Sequence, residues 1–198
     1  AHVEIRTQCR IENISQNDAG HFVLHSTQGR FSSTALVIAT GGLSIPSMGA
    51  SGFGYHVAKQ FGHTLLPTRA GLVPLTLSGR PAEQLHDLAG VAFPVEAHCR
   101  TTHFRDDMLI THRGISGPAI LQISSYWQPG EALHLNLLPQ HAIADLLADW
   151  QQQRRDTELR SLLAEHLPKR FAHRLCEHWL HSKPMRQYTP QELANIAS

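Results

Sequence analysis

Apolar and polar residues alternate in two early stretches, Val3-Glu4-Ile5-Arg6 and His21-Phe22-Val23-Leu24, and Arg30-Phe31-Ser32-Ser33 follows Gln28-Gly29. Period-two alternation between turn residues predicts half-exposed antiparallel strands, with Asp18-Ala19-Gly20 and Gln28-Gly29 as the turns. The alternation then stops. Thr34-Ala35-Leu36-Val37-Ile38-Ala39-Thr40-Gly41-Gly42 is apolar until it reaches Thr-Gly-Gly. A run with no polar face predicts a strand buried on both sides, as in a mostly parallel sheet covered by other elements. Next, residues 44–51 form a loop of small residues, and Val57, Ala58 and Phe61 recur at helical spacing from Gly52 to a stop at Gly62.

Residues 64–137 read as mainly β. The strand candidates are residues 72–77, 90–97, 107–110 and 132–137, and their turn-rich links predict a small barrel or folded sheet. Pro118 is expected in the first turn of a helix running through Ile123, because its missing N–H would be unpaired there anyway. From Pro139 onward, Leu146, Leu147 and Trp150, then Leu159, Leu162, Leu163 and Leu167, then Phe171, Leu175, Trp179 and Leu180 recur at three- and four-residue spacing. These are helix stripes expected in a core. The predicted organisation is therefore residues 1–62 as part of one domain and 63–198 as a second, with 63–137 mainly β and 138–198 helical.

Composition narrows the function classes. A chain of 198 residues with 41% hydrophobic positions can build a globular core. Its net charge of +1, with both signs interspersed, provides no broad footprint for nucleic acid, so none is expected as a partner. No apolar run approaches the roughly 20 residues that cross a bilayer, so no membrane is expected either. Three cysteines, far apart and outside any Cys-x-x-Cys pair, argue against a disulfide framework and fit a reducing cytoplasm.

Two segments carry candidate chemistry. Ala39, Thr40, Gly41 and Gly42 bring bare backbone to the end of the expected strand, where open α/β sheets bind cofactors, and Gly52 and Gly54 open the following helix. A plain glycine turn and a plain helix start are the alternatives. The second segment, Thr111-His112-Arg113-Gly114-Ile115-Ser116-Gly117, sets an imidazole, a guanidinium and two hydroxyls between glycines, ahead of a helix. His112, Arg113 and Ser116 are candidates to hold a substrate oxygen or to assist proton transfer. The alternative is a structural loop, with His112 or Ser116 capping the helix.

These motifs resemble one family, the YhiN/BaiN-type FAD-dependent oxidoreductases, also described as aminoacetone-oxidase-like flavoproteins. The likeness runs through Ala39-Thr40-Gly41-Gly42, Gly52-Phe53-Gly54-Tyr55, Gly62-His63-Thr64 and Leu72-Val73-Pro74-Leu75. It continues in Thr111-His112-Arg113-Gly114-Ile115-Ser116-Gly117-Pro118, which is similar to the family's Thr-His-x-Gly-x-Ser-Gly-Pro. The resemblance implies a fold of class α+β or α/β: part of a two-dinucleotide-binding FAD domain, with β-meander and buried strand, plus an inserted substrate-side domain. It further implies FAD, a small-molecule substrate, and room for NAD(P)H as hydride donor. Related flavoproteins often have Asp where this chain has Phe53, which offers no polar contact. The family also has an N-terminal Gly-x-Gly-x-x-Gly turn for the FAD pyrophosphate and a C-terminal segment closing the flavin site. Neither is found in this sequence, so the chain is expected to be the middle portion of such an oxidoreductase. The competing expectation is a catalytically silent binding or interaction domain that holds FAD weakly or not at all when isolated.

Other chemistries find less support. Fifteen histidines invite a metal site, yet His173, Glu177 and His181 follow a helix spacing without a His-Glu-x-x-His motif, so a solvated face and no metal are expected. Ser51 and Ser116 lack the Gly-x-Ser-x-Gly elbow of a serine hydrolase.

Overall fold

The computed structural model describes residues 3–197. The chain divides into two compact units, Ala1–Arg69 and Ala70–Ser198.

In the first unit β1 (Ile11–Gln16), β2 (Phe22–Ser26) and β3 (Gly29–Ser33) form an antiparallel meander in chain order. Asn17 sets the first turn: its Oδ1 accepts from the N–H groups of Ala19 (3.1 Å) and His21 (2.9 Å). β1 was not legible as a strand, because a bulge between Ile11 and Asn13 breaks its alternation. The expected strand at residues 3–6 does not form. Val3 and Ile5 are exposed, and Arg6 pairs with Glu4 and lies over the Phe31 ring of β3 (4.7 Å) without its backbone joining the ladder. Helix α1 (Phe53–Gln60) packs on the meander through Gln60, which donates to the carbonyl of Ile14 (2.6 Å), and through an edge-to-face contact of Phe61 with Phe22. Gly62, at φ +81°, ends it as expected.

The expected buried strand at residues 34–38 also fails to form, and Val37 is 84% exposed. The chain turns at Ser33, whose Oγ accepts from the N–H of Ala35 (3.1 Å), and no described strand lies alongside. An apolar run becomes a strand only where a ladder partner exists.

The second unit holds β4 (Leu75–Thr76), α2 (Arg80–Leu85), β5 (Ala92–Cys99), β6 (Thr102–Thr111), β7 (Gly114–Ser116), α3 (Pro118–Ser124) and β8 (His134–Asn136). Four more helices follow: α4 (Ile143–Gln153), α5 (Leu159–Leu163), α6 (Lys169–Leu175) and α7 (Pro190–Ala197). The sheet is antiparallel in the order β4-β7-β6-β5-β8. Val95, Ala97 and Cys99 alternate inward along β5, and α3 lays Ala119, Ile120 and Ile123 on the same core. Phe93 meets Phe171 at 4.6 Å between ring centroids, which joins sheet to helices. Each of the buried Val, Ile and Phe side chains contributes roughly 1.5–3 kcal/mol relative to exposure.

Two expectations need correction here. Most of residues 72–77 is not strand: the N–H of Leu72 donates to Ser125 Oγ (3.2 Å) and that of Val73 to Ser124 Oγ (3.0 Å), so these donors serve α3 instead of the ladder. The helical stripe through residue 180 is broken by a wide π turn, Cys176–Leu180, that follows α6. Trp179 in this turn is 42% exposed and His181, just past it, sits at φ +47°, yet His173, Glu177 and His181 still line one cavity.

Candidate functional site

In the first unit the structure brings all six predicted cofactor positions together. A Cβ built on Gly54 would stand 2.9 Å from Thr40 Oγ1 and 3.4 Å from Ile38, and one on Gly42 would meet the Tyr55 hydroxyl at 3.5 Å. The Ala39-Thr40-Gly41-Gly42 segment therefore lies against the start of α1, with Gly52 as its N-cap. Gly41 takes φ +71°, a left-handed conformation suited to glycine. Among the described residues, none bonds to the backbone of residues 39–42. The N–H groups of Gly54 and Tyr55 are likewise without partners, as expected in a first helical turn. This geometry provides a patch of unpaired backbone donors and acceptors, with the Tyr55 hydroxyl and Thr40 Oγ1 beside it. It suits a planar heterocycle with hydrogen-bonding edges, and Phe53 adds no polar group.

In the second unit the Thr111-to-Gly117 segment proves to be a tight hairpin rather than a loop. Thr111 Oγ1 donates to the carbonyl of Gly114 (3.1 Å) and accepts from the N–H of Arg113 (3.3 Å). Both glycines answer to backbone crowding. A Cβ on Gly114 would lie 2.2 Å from the carbonyl oxygen of Leu75, and one on Gly117 would lie 2.5 Å from that of Asp107. Ser116 sits half-buried on β7 opposite Leu109, and the N-cap of α3 is Gly117, with no side-chain cap bond. Neither His112 nor Ser116 therefore caps the helix.

His112 and Arg113 occupy the exposed tip of this hairpin, separated from Ser116 in the strand. The His112 ring lies 5.9 Å from that of His86, tilted by 55°. The adjacent Asp87 is held from α6: Arg170 donates to its carbonyl oxygen, and Arg174 pairs with its carboxylate. His86, Asp87, Arg170 and Arg174 escaped the sequence reading because they lie far apart in the chain and share no local motif. Two cavities lie elsewhere in this unit. One of about 410 Å³ lies between β8 and the helices, with Leu135, Leu163 and Ile196 among its lining residues, and one of about 570 Å³ is lined by Arg160, His173 and Cys176 among others. His112, Arg113 and Ser116 line neither. No group of three or more His, Cys, Asp or Glu side chains placed to hold a metal occurs among the described residues. No helix among them is long and apolar enough to cross a membrane.

Sequence comparison matches residues 1–120 to the HI0933-like protein Rossmann domain and residues 69–198 to the HI0933-like protein barrel and H2TH domain. The chain belongs to the HI0933-like family. This is the YhiN/BaiN-type group of FAD-dependent oxidoreductases that the two motifs resemble, and it joins a Rossmann-like domain to a barrel and H2TH domain. Three relatives carry two names between them. The chain is 47% identical over 175 residues to the ribosomal RNA dihydrouridine synthase of Escherichia coli (strain K12), covering 88% of this chain and 44% of that protein. It is 40% identical over 174 residues to the protein of the same name from Haemophilus influenzae, covering 86% and 42%. It is 32% identical over 130 residues to the 3-dehydro-bile acid delta(4,6)-reductase of Clostridium scindens, covering 65% and 32%. The chain spans less than half the length of these relatives.

Proposed function

We propose that this chain works within an FAD-dependent reductase that saturates a carbon–carbon double bond conjugated to a carbonyl, and that its substrate is uridine in RNA. The reading is carried by the 47% identity, across 88% of the chain, to a protein named for making dihydrouridine in ribosomal RNA. The names of the two kinds of relative share one chemistry. Uracil has a double bond conjugated to a ring carbonyl, and so does a 3-dehydro steroid unsaturated at carbon 4. This proposal departs from the expectation of no nucleic-acid partner drawn from net charge, and from the small-molecule substrate that the resemblance implies, because net charge does not report how cations cluster.

Within that reading, Ala39, Thr40, Gly41 and Gly42 hold the flavin edge with their unpaired backbone, supported by Gly52 and Gly54 at the start of α1. When bound, FAD supplies the hydride, with NAD(P)H as its source. His112 and Arg113 hold the substrate from the hairpin tip. Ser116, half-buried in β7, keeps that hairpin in register.

The test gives the full protein carrying this chain FAD, NADPH and unmodified ribosomal RNA transcript, then weighs the nucleosides of the digested RNA. The expected product is a uridine heavier by two hydrogens. Unchanged RNA, together with reduction of an unsaturated steroid ketone, would move the assignment to the small-molecule reading that the Clostridium relative supports.

A further inference from the structure

Building on the RNA reading above, we propose that the surface formed by His86, His112, Arg113, Arg170 and Arg174 is a docking site for the RNA phosphodiester backbone. Direct contacts link these residues into one patch: His112 to His86 through their rings, and Asp87, next in the chain, to both arginines of α6. Arg80 opens the helix that leads to His86, and Lys169 adjoins Arg170.

Outside the patch most cations of the unit are balanced by an acid. Arg100, Arg154, Arg160, Lys183 and Arg186 each sit in an ion pair, Arg105 and Arg155 being without one among the described residues. Here Arg80, Arg113 and Lys169 have no acidic partner among the described residues, and Arg170 donates to a neutral carbonyl, which leaves its charge uncompensated. The acids of the patch are Glu83, Asp87 and Glu177, of which Asp87 and Glu177 are both engaged by Arg174. Guanidinium groups that keep free donors match phosphate oxygens, and each phosphate neutralised releases counterions. The exposed imidazoles of His86 and His112 add faces on which an unstacked base can rest, as single-stranded RNA sites require.

The experiment is a KCl series of anisotropy titrations of this chain with a short fluorescein-labelled oligouridylate. Arg113→Gln and Arg170→Gln are each expected to weaken binding several-fold and to reduce the slope of log K on log [KCl] by about 0.7. Arg105→Gln, an unpaired arginine about 20 Å up β6 from the hairpin at 3.3 Å per residue, should change neither. Asp87→Asn should tighten binding, because it leaves Arg174 with one acid fewer. A folded Asp87→Asn protein that binds no more tightly counts against the patch. Wild-type binding that Arg113→Gln and Arg170→Gln both leave intact would overturn the patch and spare the RNA reading. No binding by the wild-type chain would also overturn it, and the nucleoside assay then judges the RNA reading separately.

Discussion

Thr40 Oγ1 stands 2.9 Å from the position a Cβ on Gly54 would take, so the Thr-Gly-Gly segment and the first turn of α1 approach to the width of a missing methyl group. Gly54→Ala should therefore push the two apart. Overpacking of this kind costs about 1–3 kcal/mol, offset by about 1 kcal/mol of helix propensity, for a net loss near 1 kcal/mol confined to the first unit. Adding Thr40→Ala removes the clashing oxygen and should recover most of that loss. Hydrogen exchange of the α1 amides in the four proteins of this cycle measures the coupling. Strict additivity would mean that the two residues do not touch.

Gly114, Gly117 and Gly130 form a graded series in the second unit. All three have positive φ, of +151°, +94° and +93°. Only the first two also have backbone within 3 Å of a would-be Cβ, while Gly130 faces open space. Gly130→Ala should cost the conformational penalty alone, about 1–2 kcal/mol. Gly114→Ala and Gly117→Ala should cost at least 3 kcal/mol, since the β4–β7 or β6–β7 approach must open as well. Urea unfolding of the three variants ranks them. Equal losses would show that conformation rather than crowding sets the requirement for glycine.

That series also shows what the sequence could convey. Gln28-Gly29, Gly62 and Pro118 each announce a turn, a helix stop or a helix start through their own backbone chemistry, and each was legible. The family was legible too, through residues 39–42 and 111–118. The need for glycine at Gly114 was not legible, because its cause, the carbonyl of Leu75, lies far away in the chain. The same holds for Leu36, Val37 and Ile38: their apolar character states what kind of neighbour they suit and not whether one is paired to them. The basic cluster around Asp87 needed the fold to assemble it.

Glu192 gives α7 a signature that can be read from Thr189-Pro190-Gln191-Glu192. The N–H of Glu192 donates to Thr189 Oγ1 (3.3 Å), and the N–H of Thr189 donates back to Glu192 Oε2 (2.7 Å), with Pro190 opening the helix. Lys183 Nζ at 2.6 Å and the two Thr189 donors hold the carboxyl down to about 2, below its usual value of 4.5. The folded value is the lower one, so the stabilisation is complete above about pH 4.5 and is lost as pH falls toward 2. Amide exchange in α7 should rise across that window. Glu192→Gln should raise it at neutral pH and flatten the acid dependence, and an unchanged profile would remove the capping box from the account.

The thiols separate by burial. Cys9 is half-buried, with its Sγ 3.4 Å from Ser26 Oγ, whereas Cys99 and Cys176 are 1% and 4% exposed. Burial pushes both core thiols up, Cys176 to about 11, and for Cys99 the neighbouring Glu131 adds to the effect. Thiolate is the reactive form, so near neutral pH these two lack both access and ionisation. Ellman's reagent should titrate one thiol promptly in the native chain and all three after unfolding in guanidinium, and Cys9→Ser should abolish the prompt phase. A second prompt thiol would mean that α6 or β5 opens in the native state, which would undermine the packing of Phe171 on Phe93 that joins the helices to the sheet.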